Sequence, residues 1–178
     1  MPRNIELKAR CPDPSRALAA ALSAGAVDRG VFRQHDTFYA SGLARLKLRR
    51  FGDGSAELIA YVRPDVPGDK ASDYVIAPVT DPATMHHVLS MAVGAVVDLK
   101  KSRRLLLWRN VRIHLDDVEG LGWFVEFEAV IGPDAGESES IENLREIRRI
   151  LDVADADLIR VAYADLLRSN RGDAGRRE

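Results

Sequence analysis

The sequence predicts an α+β fold built on a large, mostly antiparallel sheet. Several segments alternate polar and apolar residues with a period of two, which is typical of strands that bury one face. Short turn segments separate most of these strands, and short connections favour antiparallel neighbours. Two Asp-Pro pairs, Asp13-Pro14 and Asp81-Pro82, and apolar stripes at helical spacing near the C-terminus add helices to this sheet.

Composition is that of one globular domain of ordinary size. The chain has 178 residues, of which 26 are Lys or Arg and 27 are Asp or Glu, so its net charge is −1. Such a balance argues against a general nucleic-acid binder. The single cysteine, Cys11, excludes an internal disulfide framework and a cysteine-based zinc site.

No segment indicates export or membrane insertion. The N-terminal residues lack the apolar core of a signal peptide, and no apolar run reaches the ~18 residues that a membrane-spanning helix needs. We therefore expect a soluble, cytoplasmic protein that has neither a membrane nor a nucleic acid as its partner.

Five strands and two helices are predicted in the first half of the chain. The first helix begins at the N-cap Asp13 and ends at Gly25, and Asp53-Gly54 has the composition of a hairpin turn. In order, we expect a strand at 4–10, a helix at 15–24, two strands within 31–51 around Ser41-Gly42, a strand at 56–63, a loop at 64–72, a strand at 73–79 and a helix at 81–93.

Three strands and two helices are predicted in the second half. The strands cover about 96–107, 109–116 and 122–131, where the alternation continues. The helices cover 139–151 and 155–168, each with an apolar stripe on one side. Residues 169–178 are polar and are expected to form a disordered tail, which leaves residues 1–168 as a single domain.

Charged residues recur on one face of several predicted strands, because alternate residues of a strand share a face. In three of the five sets below all the charges have the same sign, although like charges at neighbouring positions of one face repel each other. The same-face sets are Asn4/Glu6/Lys8, Arg45/Lys47/Arg49, Lys101/Arg103, Arg112/His114/Asp116 and Glu126/Glu128.

Two interpretations account for these charged faces. In the first, every charged face meets water while the apolar face packs on helices. In the second, the sheet closes into a barrel whose charged face lines a lumen and whose apolar face is covered by helices. A bound polyanion would then offset the basic strands, and a hard divalent cation such as Mg²⁺ or Mn²⁺ would offset the carboxylates.

The order of the motifs resembles the CYTH superfamily, the triphosphate tunnel metalloenzymes. These include class IV adenylyl cyclases, thiamine triphosphatases and inorganic triphosphatases. The segment Asn4-Ile5-Glu6-Leu7-Lys8 is similar to the family's Glu-x-Glu-x-Lys strand, with Asn4 in place of the first Glu. Further segments that resemble family motifs, in collinear order, are 34–39, 43–49, 101–103, 112–116, 121–128 and 163–167.

This resemblance implies an eight-stranded antiparallel β-barrel with a charged lumen, flanking helices and a triphosphate bound inside. It implies a Mg²⁺ or Mn²⁺ site, for which the candidate ligands are Glu6, Asp116, Glu126 and Glu128. It also implies phosphate contacts, for which the candidates are Lys8, Arg45, Lys47, Arg49, Arg63, Lys101, Arg103 and Arg112. Glu6, Lys8 and Arg112 are the catalytic candidates within these two sets.

The resemblance leaves three functions open. Our first expectation is a class IV adenylyl cyclase-like lyase, in which a ribose hydroxyl attacks the α-phosphorus of ATP to give cyclic AMP and pyrophosphate. The second is a hydrolase, in which water attacks the terminal phosphorus of tripolyphosphate or thiamine triphosphate. Because Asn4 offers only an uncharged amide oxygen, the third is a non-catalytic module that binds polyphosphate or nucleotide.

Several questions stay open at this point. The sequence is compatible with one or two metal ions and with a monomer or a homodimer. His114 shares a face with Arg112 and Asp116, so it lies either in the lumen or in ordinary packing. The sequence has neither the His-Glu-x-x-His motif of zinc hydrolases nor a P-loop, which excludes those two types of site.

Overall fold

Eight strands and four α-helices are present in the computed structural model, which describes residues 3–42, 44–62, 70–133 and 135–174. The strands are β1 (Arg3–Arg10), β2 (Val27–Tyr39), β3 (Arg45–Phe51), β4 (Ala56–Val62), β5 (Lys70–Pro78), β6 (Ala95–Trp108), β7 (Val111–Val118) and β8 (Gly122–Ile131). The helices are α1 (Pro14–Ser23), α2 (Pro82–Ala92), α3 (Glu137–Ile150) and α4 (Tyr163–Ala174), and a 3₁₀ turn at Asp155–Asp157 precedes α4.

The strands form a closed antiparallel barrel in the order β1-β5-β4-β3-β2-β6-β7-β8. β1 closes the barrel because it pairs with β5 along one edge and with β8 along the other. One face of each strand therefore points into the lumen and the other points outward. This arrangement confirms the predicted antiparallel barrel with flanking helices.

Helices cover much of the apolar outer face of the barrel. α1 and α3 pack over β1, β7 and β8, where Ile113, Val125 and Phe127 are buried together with Leu144 and Ile147 of α3. α2 lies over β3, where Leu48 is fully buried. No helix within the described ranges is long and apolar enough to cross a membrane.

The caps predicted for the first two helices are confirmed. The Asp13 carboxylate accepts a hydrogen bond from the backbone N–H of Arg16 at 2.9 Å, and that of Asp81 accepts one from Thr84 at 3.0 Å. Each aspartate satisfies an N–H group that the helix itself leaves without a partner.

The prediction of one helix over 155–168 is wrong. A 3₁₀ turn occupies the start of this segment, and the chain is then extended until α4 begins at Tyr163. Leu158 bridges to Ala9 of β1, and the N–H of Ile159 donates to the carbonyl oxygen of Lys8 at 2.8 Å. The free end of β1 thus supplies backbone partners that the apolar spacing does not reveal, and these partners replace the first turns of a helix.

Helix α4 occupies one end of the barrel interior. Tyr163, at its first turn, is buried with Leu99, Val118 and Phe124, and its ring lies 4.9 Å from that of Phe124. The helix continues through Ala174, six residues beyond the predicted end of the domain at 168. The predicted loop at 64–72 lies mostly outside the described residues.

Removing part of the α3 contact is expected to destabilise the barrel. Ile147 is 0% exposed, so Ile147→Ala should lower the free energy of unfolding by about 2–5 kcal/mol through lost burial and a cavity. Met91 of α2 is 76% exposed, and Met91→Ala should change it by less than about 0.5 kcal/mol. Urea denaturation followed by circular dichroism measures both, and equal effects would contradict this account of the core.

Candidate active site in the barrel lumen

The lumen contains a cavity of about 310 Å³ that most of the predicted site residues line. Those residues are Glu6, Lys8, Lys47, Arg49, Lys101, Arg103, Arg112, Glu126 and Glu128, and Asn4 lines the cavity beside them. They come from β1, β3, β6, β7 and β8, and the alternation of each strand turns them inward. The parity of the charged positions therefore predicted which side chains of each strand share a face, and the barrel implied by the family resemblance predicted that these faces meet.

One side of the cavity, here called the cationic wall, consists of Lys47 and Arg49 on β3 and Lys101 and Arg103 on β6. β2 lies between these two strands and carries Asp36. Asp36 accepts two hydrogen bonds from Arg49, both at 2.7 Å, and one from Lys47 at 3.0 Å. This aspartate holds both β3 cations in fixed positions.

Asp116 on β7 makes the matching arrangement with the β6 cations. It accepts hydrogen bonds from Arg103 at 2.7 and 2.6 Å, from Lys101 at 3.2 Å and from the Tyr163 hydroxyl at 3.1 Å. Its side chain is fully buried, and its two oxygens are engaged by these donors. Asp116 was predicted as a metal ligand, but the structure places it behind the cations and outside the cavity lining.

Burial and charge act in opposite directions on the two aspartates. Burial raises the pKa of Asp36, but Lys47 and Arg49 outweigh it and leave the pKa far below its usual range. Burial likewise raises the pKa of Asp116, while Arg103 and Lys101 lower it to a net value well below normal. Both carboxylates are therefore ionised, and they offset half of the four positive charges on the cationic wall.

Lys101 is the member of the cationic wall whose pKa lies near neutral pH. Burial, followed by repulsion from Arg103, lowers the pKa of Lys101 to about 7, although Asp116 acts in the opposite direction. Its ammonium group is thus near half-protonation at neutral pH. A bound anion beside it would favour the charged form.

The opposite side, here called the carboxylate wall, consists of His114 on β7, Glu126 and Glu128 on β8, and Glu6 on β1. These strands are neighbours, and the register sets His114 opposite Glu126 and Glu6 opposite Glu128. One ligand atom from each of His114, Glu126 and Glu128 lies within 4.8 Å of the others.

Glu126 joins the two walls. Its carboxylate lies 3.2 Å from the Lys8 ammonium and accepts a 2.6 Å hydrogen bond from Arg103, which also holds Asp116. Burial raises the pKa of Glu126, but Lys8, the neighbouring His114 side chain and Arg103 lower it well below its usual range. Glu126 is therefore ionised in the lumen without an added cation.

The carboxylate wall has the donors that a divalent cation needs. Two carboxylates and an imidazole approach one point, and Nδ1 of His114 and Oδ1 of Asn4 are buried without a hydrogen-bond partner in the described part of the chain. Buried polar atoms left in this way are costly unless a ligand or water meets them. The residues present thus fit Mg²⁺ or Mn²⁺, ions that accept carboxylate and amide oxygens.

A third stretch of the lining, here called the apolar wall, consists of Ile59 and Tyr61 on β4 and Tyr74 and Ile76 on β5. These strands lie between the strands of the cationic and carboxylate walls in the barrel. Their side chains offer ring and aliphatic surface, and the Lys47 ammonium lies 5.8 Å from the centre of the Tyr61 ring. The cavity is therefore charged on two sides and largely apolar on the third.

The remaining predicted residues lie at the edge of the site or outside the described residues. Arg45 forms a 3.1 Å ion pair with Asp165 of α4 and is absent from the cavity lining. Arg112 lines the cavity 3.7 Å from Glu128, with 44% of its side chain exposed. Arg63 lies outside the described residues.

The four residues of the apolar wall were not among those predicted, and neither were three polar residues of the charged walls and their partners. Asp36 and Tyr163 lie in segments that were recognised only as motifs, and the placement of His114 was left open. The parity signal was present for His114, which alternates with Arg112 and Asp116. For Asp36 the informative fact is its position opposite Arg49, which depends on strand register.

Solved structures with the same fold are known from archaea and plants. A protein of Pyrococcus horikoshii has a TM-score of 0.81 and 21% sequence identity, over 92% of this chain and 98% of that chain. An adenylyl cyclase-like protein of Hippeastrum, described with a dominant triphosphatase activity, has a TM-score of 0.68 and 16% identity, over 96% of both chains.

A relative by sequence is the protein of Methanocaldococcus jannaschii named "Putative adenylate cyclase". It is 31% identical over 71 residues, so the match spans 40% of this chain and only 41% of that relative. The model of the CYTH domain, in contrast, matches residues 2–163. That range contains the whole barrel and every residue of its three walls, and the chain belongs to the CYTH domain family.

Proposed function

We propose that this protein is a divalent-metal-dependent enzyme that processes a triphosphate compound in the lumen, converting ATP to cyclic AMP and pyrophosphate. The observation that carries this proposal is the pairing of the two charged walls across one cavity of about 310 Å³. Four Lys and Arg side chains are held in place on one side, and carboxylates converge on the other. A triphosphate together with a divalent cation complements both.

The cationic wall suits the phosphates. A triphosphate carries about four negative charges near neutral pH, and its transfer reactions depend mainly on positioning and charge stabilisation. Arg49 and Arg103 each use two nitrogens on an aspartate, so their guanidinium planes are already oriented. Lys47 and Lys101 add compact charges beside them. The wall is therefore arranged before the substrate binds.

The carboxylate wall suits the cation. Glu128 and Glu126, with Glu6 on the neighbouring strand, would hold it, and a bound divalent cation offsets phosphate charge and activates an attacking hydroxyl or water. Lys8 lies between the walls, 3.2 Å from Glu126 and 4.0 Å above the Tyr163 ring. From there Lys8 stabilises charge on a phosphate that contacts both walls, and Arg112 does the same at the edge of the cavity.

The apolar wall favours a triphosphate that carries an organic group. Inorganic tripolyphosphate has nothing to place against Ile59, Tyr61, Tyr74 and Ile76, whereas a nucleoside has a planar base that stacks on aromatic rings. This observation supports an organic triphosphate such as ATP over tripolyphosphate as the substrate. Cyclisation is the reaction suggested by the cyclase name of the Methanocaldococcus relative.

Triphosphate hydrolysis is the second candidate. The two charged walls supply cations and metal ligands, which is all that attack by water on a terminal phosphate requires. The dominant triphosphatase activity described for the Hippeastrum protein is a further reason to assay this reaction.

A product assay tests the proposal directly. Purified protein is incubated with Mg²⁺ or Mn²⁺ and, separately, with ATP, tripolyphosphate and thiamine triphosphate, and the products are separated by chromatography. We expect cyclic AMP and pyrophosphate from ATP. Orthophosphate in place of cyclic AMP would establish the second candidate, and binding without any product would identify a non-catalytic binding module.

Replacing a carboxylate of the metal site is expected to reduce turnover more than binding. Glu128→Ala or Glu126→Ala should lower kcat about 100-fold or more, because several kcal/mol of charge stabilisation are lost. The affinity for tripolyphosphate in EDTA should stay the same or increase, since a negative charge leaves the lumen. Glu142→Gln, on the exposed side of α3, is the control. Unchanged turnover in both alanine variants would contradict the metal assignment.

Polyanion binding is expected to weaken above neutral pH because of Lys101. Its pKa is about 7 in the free protein, and a bound anion raises it, so binding takes up protons between pH 7 and the higher pKa of the complex. The measurement is calorimetry at pH 8 with tripolyphosphate in EDTA, in two buffers of different ionisation enthalpy. The wild type should take up as much as about one proton more on binding than the Lys101→Arg variant does. Protonation of the ligand cancels in that difference, and equal uptake would contradict the prediction.

A further inference from the structure

We propose that Nδ1 of His114 is a direct ligand of the divalent cation in the lumen, so that the site has a nitrogen donor and prefers Mn²⁺ to Mg²⁺. This inference rests on the metal-dependent function proposed above. It adds a residue of a different chemical type to the carboxylates and gives the metal a definite identity.

Nδ1 lies close enough to two carboxylates for one ion to contact all three groups. Nδ1 lies 3.7 Å from Oε2 of Glu126 and 3.8 Å from Oε1 of Glu128. Both distances are too long for a hydrogen bond. Two ligands bound at about 2.1 Å in octahedral geometry are roughly 3 Å apart when adjacent and about 4.2 Å apart when opposite, so side-chain movements of less than about 1 Å bring both pairs to the adjacent distance.

The burial of His114 is a second, independent observation in favour of a metal ligand at Nδ1. The His114 side chain is only 5% exposed, and its Nδ1 has no hydrogen-bond partner among the described residues. A buried ring nitrogen in this state loses its contact with water and gains nothing in return. Its direction toward two carboxylates is explained if a cation lies between the three groups.

The two glutamates differ in how free they are to take part. Glu126 already contacts Lys8 and Arg103, whereas the Glu128 carboxylate has Arg112 at 3.7 Å as its nearest described cation. Glu128 therefore has fewer competing contacts than Glu126, and it is the carboxylate more available to share a cation with His114. A neutral imidazole beside carboxylates is a donor set that suits Mn²⁺ better than Mg²⁺, because Mg²⁺ prefers oxygen ligands.

Electron paramagnetic resonance of the Mn²⁺-loaded protein tests the inference without an activity assay. Loss of the free Mn²⁺ signal on titration gives the dissociation constant, and competition with Mg²⁺ gives the preference. Electron spin-echo envelope modulation then detects a nitrogen bound to Mn²⁺. We expect such a nitrogen in the wild type, with the modulation changed by labelling histidine with ¹⁵N.

The variant His114→Gln replaces the ring nitrogen with an amide oxygen. We expect it to abolish the nitrogen modulation. We also expect the preference for Mn²⁺ over Mg²⁺ to fall at least about tenfold, because loss of even an outer-sphere partner of a metal site has an effect of about that size. The matched control is His35→Gln. His35 lies outside the lumen, 2.9 Å from Asp98, so both readouts should remain unchanged.

The possible outcomes separate the inference from the function on which it rests. Mn²⁺ binding that depends on Glu128 but lacks nitrogen modulation would overturn the role of His114 and leave the metal site intact. Failure of the wild type to bind Mn²⁺ at all would overturn both. If His114→Gln does not fold, the ¹⁵N-labelled wild type still decides the question, because His114 is the only histidine among the described residues that lines this cavity.

Discussion

The lumen depends on two buried aspartates that hold like charges together. Four cations on β3 and β6 face one cavity, and without counterions their repulsion in a poorly hydrated interior would be severe. Asp36 and Asp116 each bind one Lys and one Arg from a neighbouring strand. They leave a net positive surface whose members are fixed in place. A polyanion that enters this surface needs little rearrangement of the protein.

The remaining features of the site follow from that arrangement. Arg103 contacts both Asp116 and Glu126, so the cationic and carboxylate walls form one network of charges. Lys8 extends this network to β1, and Tyr163 connects it to α4. Replacing any one of these groups therefore changes the interactions of several others, and the free-energy effects of substitutions here are not expected to be additive.

Local patterns in the sequence predicted most of the fold and the side chains that share the lumen. Alternation predicted that Lys47 and Arg49 share one face of their strand and that Lys101 and Arg103 share one face of theirs, because parity is a property of a single strand. That the two faces line one lumen was implied by the family resemblance. Partners across strands depend on register, which such patterns do not contain. Asp116 was a candidate metal ligand through the family resemblance, whereas the register places it as a counterion of Arg103. The prediction of a helix over 155–168 was wrong for the same reason, because part of this segment makes backbone contacts with β1, which is distant in the sequence.

The closure of the barrel has a consequence for how the protein reaches its active form. β1 is made first, yet its partner β8 is the last strand of the barrel, and the pairing of Glu6 with Glu128 joins nearly opposite ends of the domain. Long-range pairings of this kind form slowly. A nascent chain that has folded β2 to β4 already carries half of the cationic wall, but the carboxylate wall is complete only after β8 leaves the ribosome. Affinity for the proposed metal is therefore acquired only after β1 and β8 have paired, when the barrel is closed.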